Sequence, residues 1–449
     1  MAGRFEAPER RGPNPALLLV PLLVVILVSA FFVSKLFGKA VPEGETIATA
    51  TPGISAEPLP TEATLPTVPD SPRVIATATL GAQGDLLMHR PIFTKGSYVN
   101  PDGTGFDFSS LFQYVTEETA AFDYFAANLE TTLGGDAFPY RGNPSFNCPD
   151  DLLDALKDAG YDLLLTANNH SYDTLMTGIN RTLEQAREAG FDTLGTRLSE
   201  EEDRYSIIEI NGIRLGMVCY TYTMTTDQQG NPSLNNNAAV EKPEQINWFS
   251  YQNLNKFYSQ MEEITAAMKE AGAEAAVLFI HWGKEYVMVE NDTQRAIAQK
   301  MCDLGFDVII GGHPHVVQPM DLLESTINPD HKTICIYSLG NAVSNQRREE
   351  MALKTGHTED GVIFSVTFRK FSDGTVRVSD TDVLPTWVNL HSRNGGAEYN
   401  ILPLDKDQED QWQNAFGLTD AEFAECKNSY GRTMEILSPG LEKCRQWFG

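Results

Sequence analysis

Eight histidines occur in the 449 residues, and five of them follow apolar, strand-like runs, each beside Gly, Asp or Asn. Gly84-Asp85-Leu86-Leu87-Met88-His89 offers a carboxylate and an imidazole, and Asn128-Leu129-Glu130 offers a second carboxylate. Thr166-Ala167-Asn168-Asn169-His170 adds amides and a histidine, with Asp173 three residues on. His281-Trp282-Gly283 and Gly311-Gly312-His313-Pro314-His315 complete the set. Imidazole, carboxylate and amide donors in this mixture suit divalent ions such as Mn, Zn or Fe. In His-x-His, alternate residues of an extended segment project to one side. Two ions about 3.5–4 Å apart could clamp a phosphoryl group and activate water.

Each fragment alone has an ordinary reading. Gly-Asp after a strand is a common turn, Asn168 or Asn169 could cap a helix, and His281 could be a core residue. Their joint placement at strand ends is what points to one site. His331, His357 and His391 stand in polar contexts and read as surface residues.

The elements that would position these groups are legible as apolar runs at Val74–Leu80, Phe122–Ala127, Tyr161–Leu165, Ile207–Tyr220, Ala275–Ile280, Asp307–Ile310 and Thr333–Tyr337. Helical patterns lie between them at 150–159, 174–189, 250–271 and 292–304. This alternation predicts an α/β domain whose sheets are covered by helices, and in such folds sites lie beyond the carboxyl ends of strands. Asn211-Gly212 and Ser372-Asp373-Gly374 predict hairpins. Residues 223–246 are polar and turn-rich and read as a lid, a binding loop or a disordered insertion. The domain is expected over 74–395, with 396–449 as a helical extension.

The N-terminus has a different character. Residues 16–34 form a run of 19 without a charge, about 28 Å as a helix and close to the hydrocarbon thickness of a bilayer. Apolar residues continue to Phe37, which favours a transmembrane anchor over 16–37 rather than a cleaved signal peptide. Residues 1–15 then form a short cytoplasmic tail, and 38–73, rich in Pro, Thr and Glu, a disordered stalk. The expected location is the cell membrane, single-pass, with the domain outside the cell. Cys148, Cys219, Cys302 and Cys335 read as buried small hydrophobes, while Cys426 and Cys444 could form a disulfide in an oxidising compartment. With 34 basic against 61 acidic residues and a net charge of −27, nucleic-acid binding is excluded as a function class.

In GDLLMHRP (84–91), NLET (128–131), TANNHSYD (166–173), HWGKEY (281–286), GGHPHVVQ (311–318) and YSLGN (337–341) the chain resembles the CapA family of poly-γ-glutamate capsule synthesis proteins. That family's domain is similar to calcineurin-like metallophosphatases. The resemblance implies a four-layer sandwich of two mixed sheets flanked by helices. It implies Asp85, His281, His313 and His315 as metal ligands, Asn169 on metal or phosphate, and His170 as the acid that protonates a leaving group. Glu130 stands where a bridging Asp is expected. His89 lies four residues after Asp85 where the metallophosphatases have Asp-x-His, and could supply that missing ligand. The implied role is synthesis, export or retention of the polymer alongside membrane synthase subunits. The alternatives are an extracytoplasmic metal-dependent phosphoesterase and a non-catalytic polymer-binding subunit. An anionic polymer would have to be met locally, since the acidic surface repels it over about 8–10 Å.

Overall fold

Strand β1 (Val74–Leu86) is central to the first of two sheets. Parallel strands β2 (Tyr124–Asn128), β3 (Leu163–Leu165) and β4 (Asp192–Leu194) extend the sheet on one side. On the other side come the antiparallel β15 (Asp360–Phe371), β16 (Val376–Arg393) and β17 (Gly396–Pro403). The short β14 (Asn341–Val343) runs parallel to the end of β1. We describe here a computed structural model, which covers residues 71–448 except 95–97, 101–102, 236 and 394–395. The expected tail, anchor and nearly all of the stalk lie outside the described residues. No described helix is long and apolar enough to cross a membrane.

The second sheet has parallel strands β6 (Ile213–Thr223), β10 (Ala275–His281), β11 (Val308–Gly312) and β13 (Lys332–Leu339). Antiparallel β5 (Tyr205–Ile210) and β12 (Val317–Glu324) form its edges, and β9 (Trp248–Ser250) adds to the end of β6. Both predicted hairpins form, as β5–β6 around Asn211-Gly212 and β15–β16 around Asp373-Gly374. Asn211 and Gly212 both have positive φ, 51° and 81°, as a tight hairpin turn requires.

The two sheets share one core. Leu80 and Ala82 of β1, Leu163 of β3 and Phe364 of β15 pack with Leu215 of β6, Val277 and Phe279 of β10 and Ile336 of β13. Helices cover the outer faces: α1 (Leu152–Asp158) lies over the first sheet with Leu152 and Leu156, beside Phe125 and Leu164. After α2 (Leu175–Glu188), helices α3 (Leu254–Glu270) and α4 (Asp292–Asp303) place Phe257, Met261, Ile297 and Met301 against Leu278 and Ile309 of the second sheet. Strands buried on both faces read as unbroken apolar runs, and each such side chain contributes about 1.5–3 kcal/mol on burial. The ends of α4 are set locally, for Asn291 and Gln294 cap each other's backbone in a reciprocal box.

Four expectations are corrected. The segment 396–449 begins with strand β17 in the first sheet rather than with helix. Its long helix α5 (Asp420–Phe448) inserts Leu437, Leu441 and Cys444 into the core between the sheets, so it is part of the body. Of the alternatives for 223–246, the disordered one is overturned for the described residues: β7 (Thr225–Thr226) pairs with β8 (Pro232–Ser233), and Leu234, Val240 and Ile246 pack on α2. Cys426 and Cys444 both lie on α5, about 27 Å apart at 1.5 Å per residue and far beyond the reach of a disulfide; all six cysteines are buried and free. Finally, His331, His357 and His391 are half-buried rather than exposed, with His391 Nδ1 2.6 Å from Glu422.

Candidate metal centre

The carboxyl ends of β1, β2, β3, β10 and β11 converge, because both sheets run their parallel strands toward the same edge. Asp85 sits opposite Asn128 and Asn341 in the first sheet, and His281 opposite Gly312 and Thr221 in the second. Two glycines allow the close approach. A Cβ on Gly84 would lie 2.0 Å from the Gly340 carbonyl oxygen, which accepts from the Asp85 N–H at 3.0 Å. A Cβ on Gly312 would lie 2.9 Å from Asp85 Oδ1. This is the physical content of the Gly-Asp and Gly-Gly-His-Pro-His motifs.

The side chains meet at hydrogen-bonding distances. Asn128 Nδ2 donates to Asp85 Oδ1 at 2.8 Å and lies 3.2 Å from Glu130 Oε2. His315 Nδ1 is 3.1 Å from Asp85 Oδ2 and 3.2 Å from Asn341 Oδ1, which leaves Nε2 directed at Glu130 Oε1, 3.8 Å away. His281 Nε2 is 2.7 Å from Asn169 Oδ1, 3.1 Å from His313 Nδ1 and 3.4 Å from Glu130 Oε1. Two groups of three could each hold an ion, Asp85–Glu130–His281 and Glu130–His313–His315, with ligand atoms within 4.8 Å of one another. They share Glu130.

The donor set fits a metal on two counts. Glu130 is fully buried, and its Oε1 has no hydrogen-bond partner although two imidazole nitrogens face it. An orphaned buried carboxylate oxygen costs several kcal/mol unless something positive meets it. The observed 3.1–3.8 Å separations are also close to the roughly 3–3.5 Å expected between two ligands whose bonds to one ion are about 2.0–2.2 Å.

Burial sets the protonation states. It holds His281 down at about 3, against the opposing pull of Asp85. Burial, then His281 and His315, hold His313 well below the ordinary imidazole range. Their lone pairs are therefore free for a ligand at neutral pH. Burial pushes Glu130 well above the usual carboxylate range, and Asp85 beside it adds to the effect. Burial would also raise Asp85, but the hydrogen bond and charge of His315, with His281 and Asn128, bring it below its ordinary value.

Backbone strain gathers at the same place. Of the six non-glycine residues with positive φ among the described residues, His313 (96°), His315 (54°), Tyr286 (64°) and Asn235 (49°) surround the centre. Bulky side chains adopt this region at a cost of about 1–3 kcal/mol each, and such strain concentrates at functional sites.

His170 and His89 stand apart from the two ligand groups. His170 Nδ1 is 2.7 Å from Asp173 Oδ2, a carboxylate that also accepts from the Phe146 N–H. His89 Nδ1 lies 3.0 Å from the Leu87 carbonyl and accepts from the Asn345 N–H at 3.2 Å. The Phe146 ring meets both imidazoles edge-on, 5.1 Å from His89 and 4.6 Å from His170. Burial keeps His89 neutral, its pKa down at about 4.

Four further participants were not singled out from sequence. Asn128 and Asn341 sit inside Asn-Leu-Glu and Tyr-Ser-Leu-Gly-Asn, so the signal for them was present. Asn235 comes from the polar 223–246 segment and donates to Asp173 Oδ1 at 2.9 Å, 3.1 Å from His170 Nδ1. Tyr222 lies 2.8 Å from His313 Nε2. Nothing local marks either residue. Outside His313 opens a cleft of about 760 Å³, walled by Tyr222, Tyr251, Lys284, Glu285 and Tyr286.

Comparison with known proteins gives the family. The family model for the bacterial capsule synthesis protein PGA_cap matches residues 79–346. The capsule biosynthesis protein CapA of Bacillus anthracis is 26% identical over 372 residues, 79% of this chain and 75% of the relative. The PGA biosynthesis protein CapA of Bacillus subtilis (strain 168) is 27% identical over 306 residues, 67% of this chain and 70% of the relative. Every candidate ligand from Asp85 to His315 falls inside the matched span, which covers more than half of the sequence, and the chain belongs to the PGA_cap family of bacterial capsule synthesis proteins.

Proposed function

We propose that this chain is a membrane-anchored capsule-assembly protein. In this reading it acts in synthesis, export or retention of poly-γ-glutamate or a similar anionic exopolymer through a metal-dependent hydrolase-like site. The carrying observation is Glu130 Oε1, buried without a hydrogen-bond donor among imidazole nitrogens of a capsule-synthesis family domain. The helix–sheet–sheet–helix layering supports a metallophosphatase-like fold. The uncharged run over 16–34, with apolar residues continuing to Phe37, supports a single-pass anchor with the domain outside the cell, where it would meet membrane synthase subunits.

In this reading Asp85, Glu130 and His281 would hold one divalent ion, and His313 and His315 with Glu130 could hold a second; Mn, Zn and Fe all suit such donors. A bound ion would supply Lewis acidity and a lowered pKa for water. The chain's own residues do the rest. Asn169, its Oδ1 fixed against His281, orients the reacting group. Asp173 Oδ2 accepts from His170 Nδ1 and Asn235 donates to the other oxygen of Asp173, which fixes the ring so that Nε2 can deliver a proton to a departing oxygen or nitrogen. Tyr251 and Lys284 give the cleft an apolar wall and one cation on an otherwise acidic surface.

The test is polymer production by cells whose only copy carries His170→Ala and His313→Ala together. Loss of polymer, with the variant present in the membrane at normal amounts, is the expected result. Undiminished polymer would refute a chemical role for the site and leave a binding role in its place.

A further inference from the structure

His313 faces the cluster with one ring nitrogen and leaves it with the other. Nδ1 lies 3.1 Å from His281 Nε2, inside the centre, and Nε2 lies 2.8 Å from the Tyr222 hydroxyl, at its outer wall. Tyr222 is held in place by the sheet: it pairs with Phe249 across β6 and β9, and its ring packs 5.4 Å from Tyr251 and 4.8 Å from His313. A neutral imidazole has one N–H and one lone pair. If Nδ1 gives its lone pair to an ion, Nε2 carries the proton, and the Tyr222 oxygen accepts it. The phenol's own hydrogen is then left for the cleft. The His313 backbone, at φ 96°, is strained, so the ring needs a lateral support to keep its orientation.

We infer that Tyr222 is a positioning residue of the metal centre, whose hydroxyl holds His313 in the Nε2–H tautomer with Nδ1 turned toward the ion. This rests on the reading of His313 as a metal ligand. Tyr286 supplies the contrast within the same cleft. Its ring lies 6.1 Å from His315, yet its hydroxyl accepts from Gln346 Nε2 at 3.2 Å and touches no candidate ligand.

The experiment is a Co(II) titration of the full chain, wild type beside Tyr222→Phe and Tyr286→Phe. Affinity is read by chelator competition and ligand geometry by the visible d–d absorption. Tyr222→Phe should weaken Co(II) binding about 10–100-fold, the usual cost of losing a hydrogen bond that orients a metal-bound histidine, and should change the absorption envelope. Tyr286→Phe should bind as wild type does. Thermal unfolding of the metal-free proteins should coincide, which separates a positioning role from a structural one. Wild-type affinity and spectrum in Tyr222→Phe, or an equal loss in Tyr286→Phe, would overturn the assignment of Tyr222 alone. A wild-type chain that binds no Co(II) would overturn the metal reading and Tyr222 with it.

Discussion

Two regions of this protein bury several charges each, and they treat them in opposite ways. Beneath α5, Asp360 accepts from Arg432 Nη2 at 2.7 Å and from the Ser429 hydroxyl at 2.6 Å. Glu359 accepts from Arg348 Nη2 at 2.9 Å and Trp387 Nε1 at 3.2 Å, and Glu425 accepts from Arg432 Nη1 at 2.7 Å. None of these residues has a buried polar atom without a partner. At the strand ends, Asp85 and Glu130 are buried with no lysine or arginine among the described residues paired to them, and Glu130 Oε1 has no donor there either. Buried charge by itself is therefore not the mark of the site. What distinguishes the site is a buried carboxyl oxygen, Glu130 Oε1, that no protein donor meets.

Breaking the first region should cost most. Arg432→Ala leaves Asp360 and part of Glu425 buried and unpaired, and should destabilise the fold by about 3–5 kcal/mol. Metal content per folded molecule should not change. Chemical denaturation and elemental analysis on the same samples check both halves.

Glu130→Gln is the counterpart in the second region. It replaces a carboxyl group that burial already biases toward its neutral form with a neutral amide of the same shape, so the metal-free variant should be within about 1 kcal/mol of wild type. Metal affinity should fall by about 100-fold or more, since a lost ligand costs at least as much as a lost outer support. A variant that loses stability and keeps its metal would reverse the contrast.

A third carboxylate lies between these cases. Asp307 stands at the opposite end of β11 from the site and accepts the Ala276 N–H at 2.8 Å. Burial raises its pKa from 3.8 to about 6, against the backbone donor and His331. A carboxyl group raised on folding contributes stability that is complete below about pH 3.8 and is lost as pH rises through about 6. Wild type should thus lose about 1–3 kcal/mol relative to Asp307→Asn between pH 4 and 8. Parallel unfolding curves at both pH values would show that Asp307 titrates as in the unfolded chain.

The smallest effect is expected from Gly312→Ala. The new Cβ would press on Asp85 Oδ1 from 2.9 Å, and a shift of a few tenths of an ångström should weaken metal binding about tenfold. Gly305→Ala, where a Cβ meets open space but φ is 92°, is the control for a glycine that serves only the backbone.

The legibility of the sequence follows the same physics. The longer parallel strands of both sheets were visible because burial on two faces leaves continuous apolar runs, and the glycines and histidines at their ends mark where the chain turns tightly at the candidate site. β4, β9 and β14, with three residues each, are too short to show a pattern. β12 was hidden by Pro319, which an edge strand tolerates, and β17 by its Gly-Ala-Glu opening. α5 was legible as helix but not as core, since Cys444 and Leu441 reach the inter-sheet space only once β12 and β16 are in place. Tyr222 and Asn235 come to the site through sheet register and loop packing, which no short motif encodes.

The measurement that bears most directly on this account is the metal content of the purified full chain, beside a His281→Ala, His313→Ala double variant of equal thermal stability. The account predicts about one to two equivalents of transition metal in wild type and almost none in the variant. Equal metal in both, or none in wild type after incubation with Mn and Zn, would contradict it.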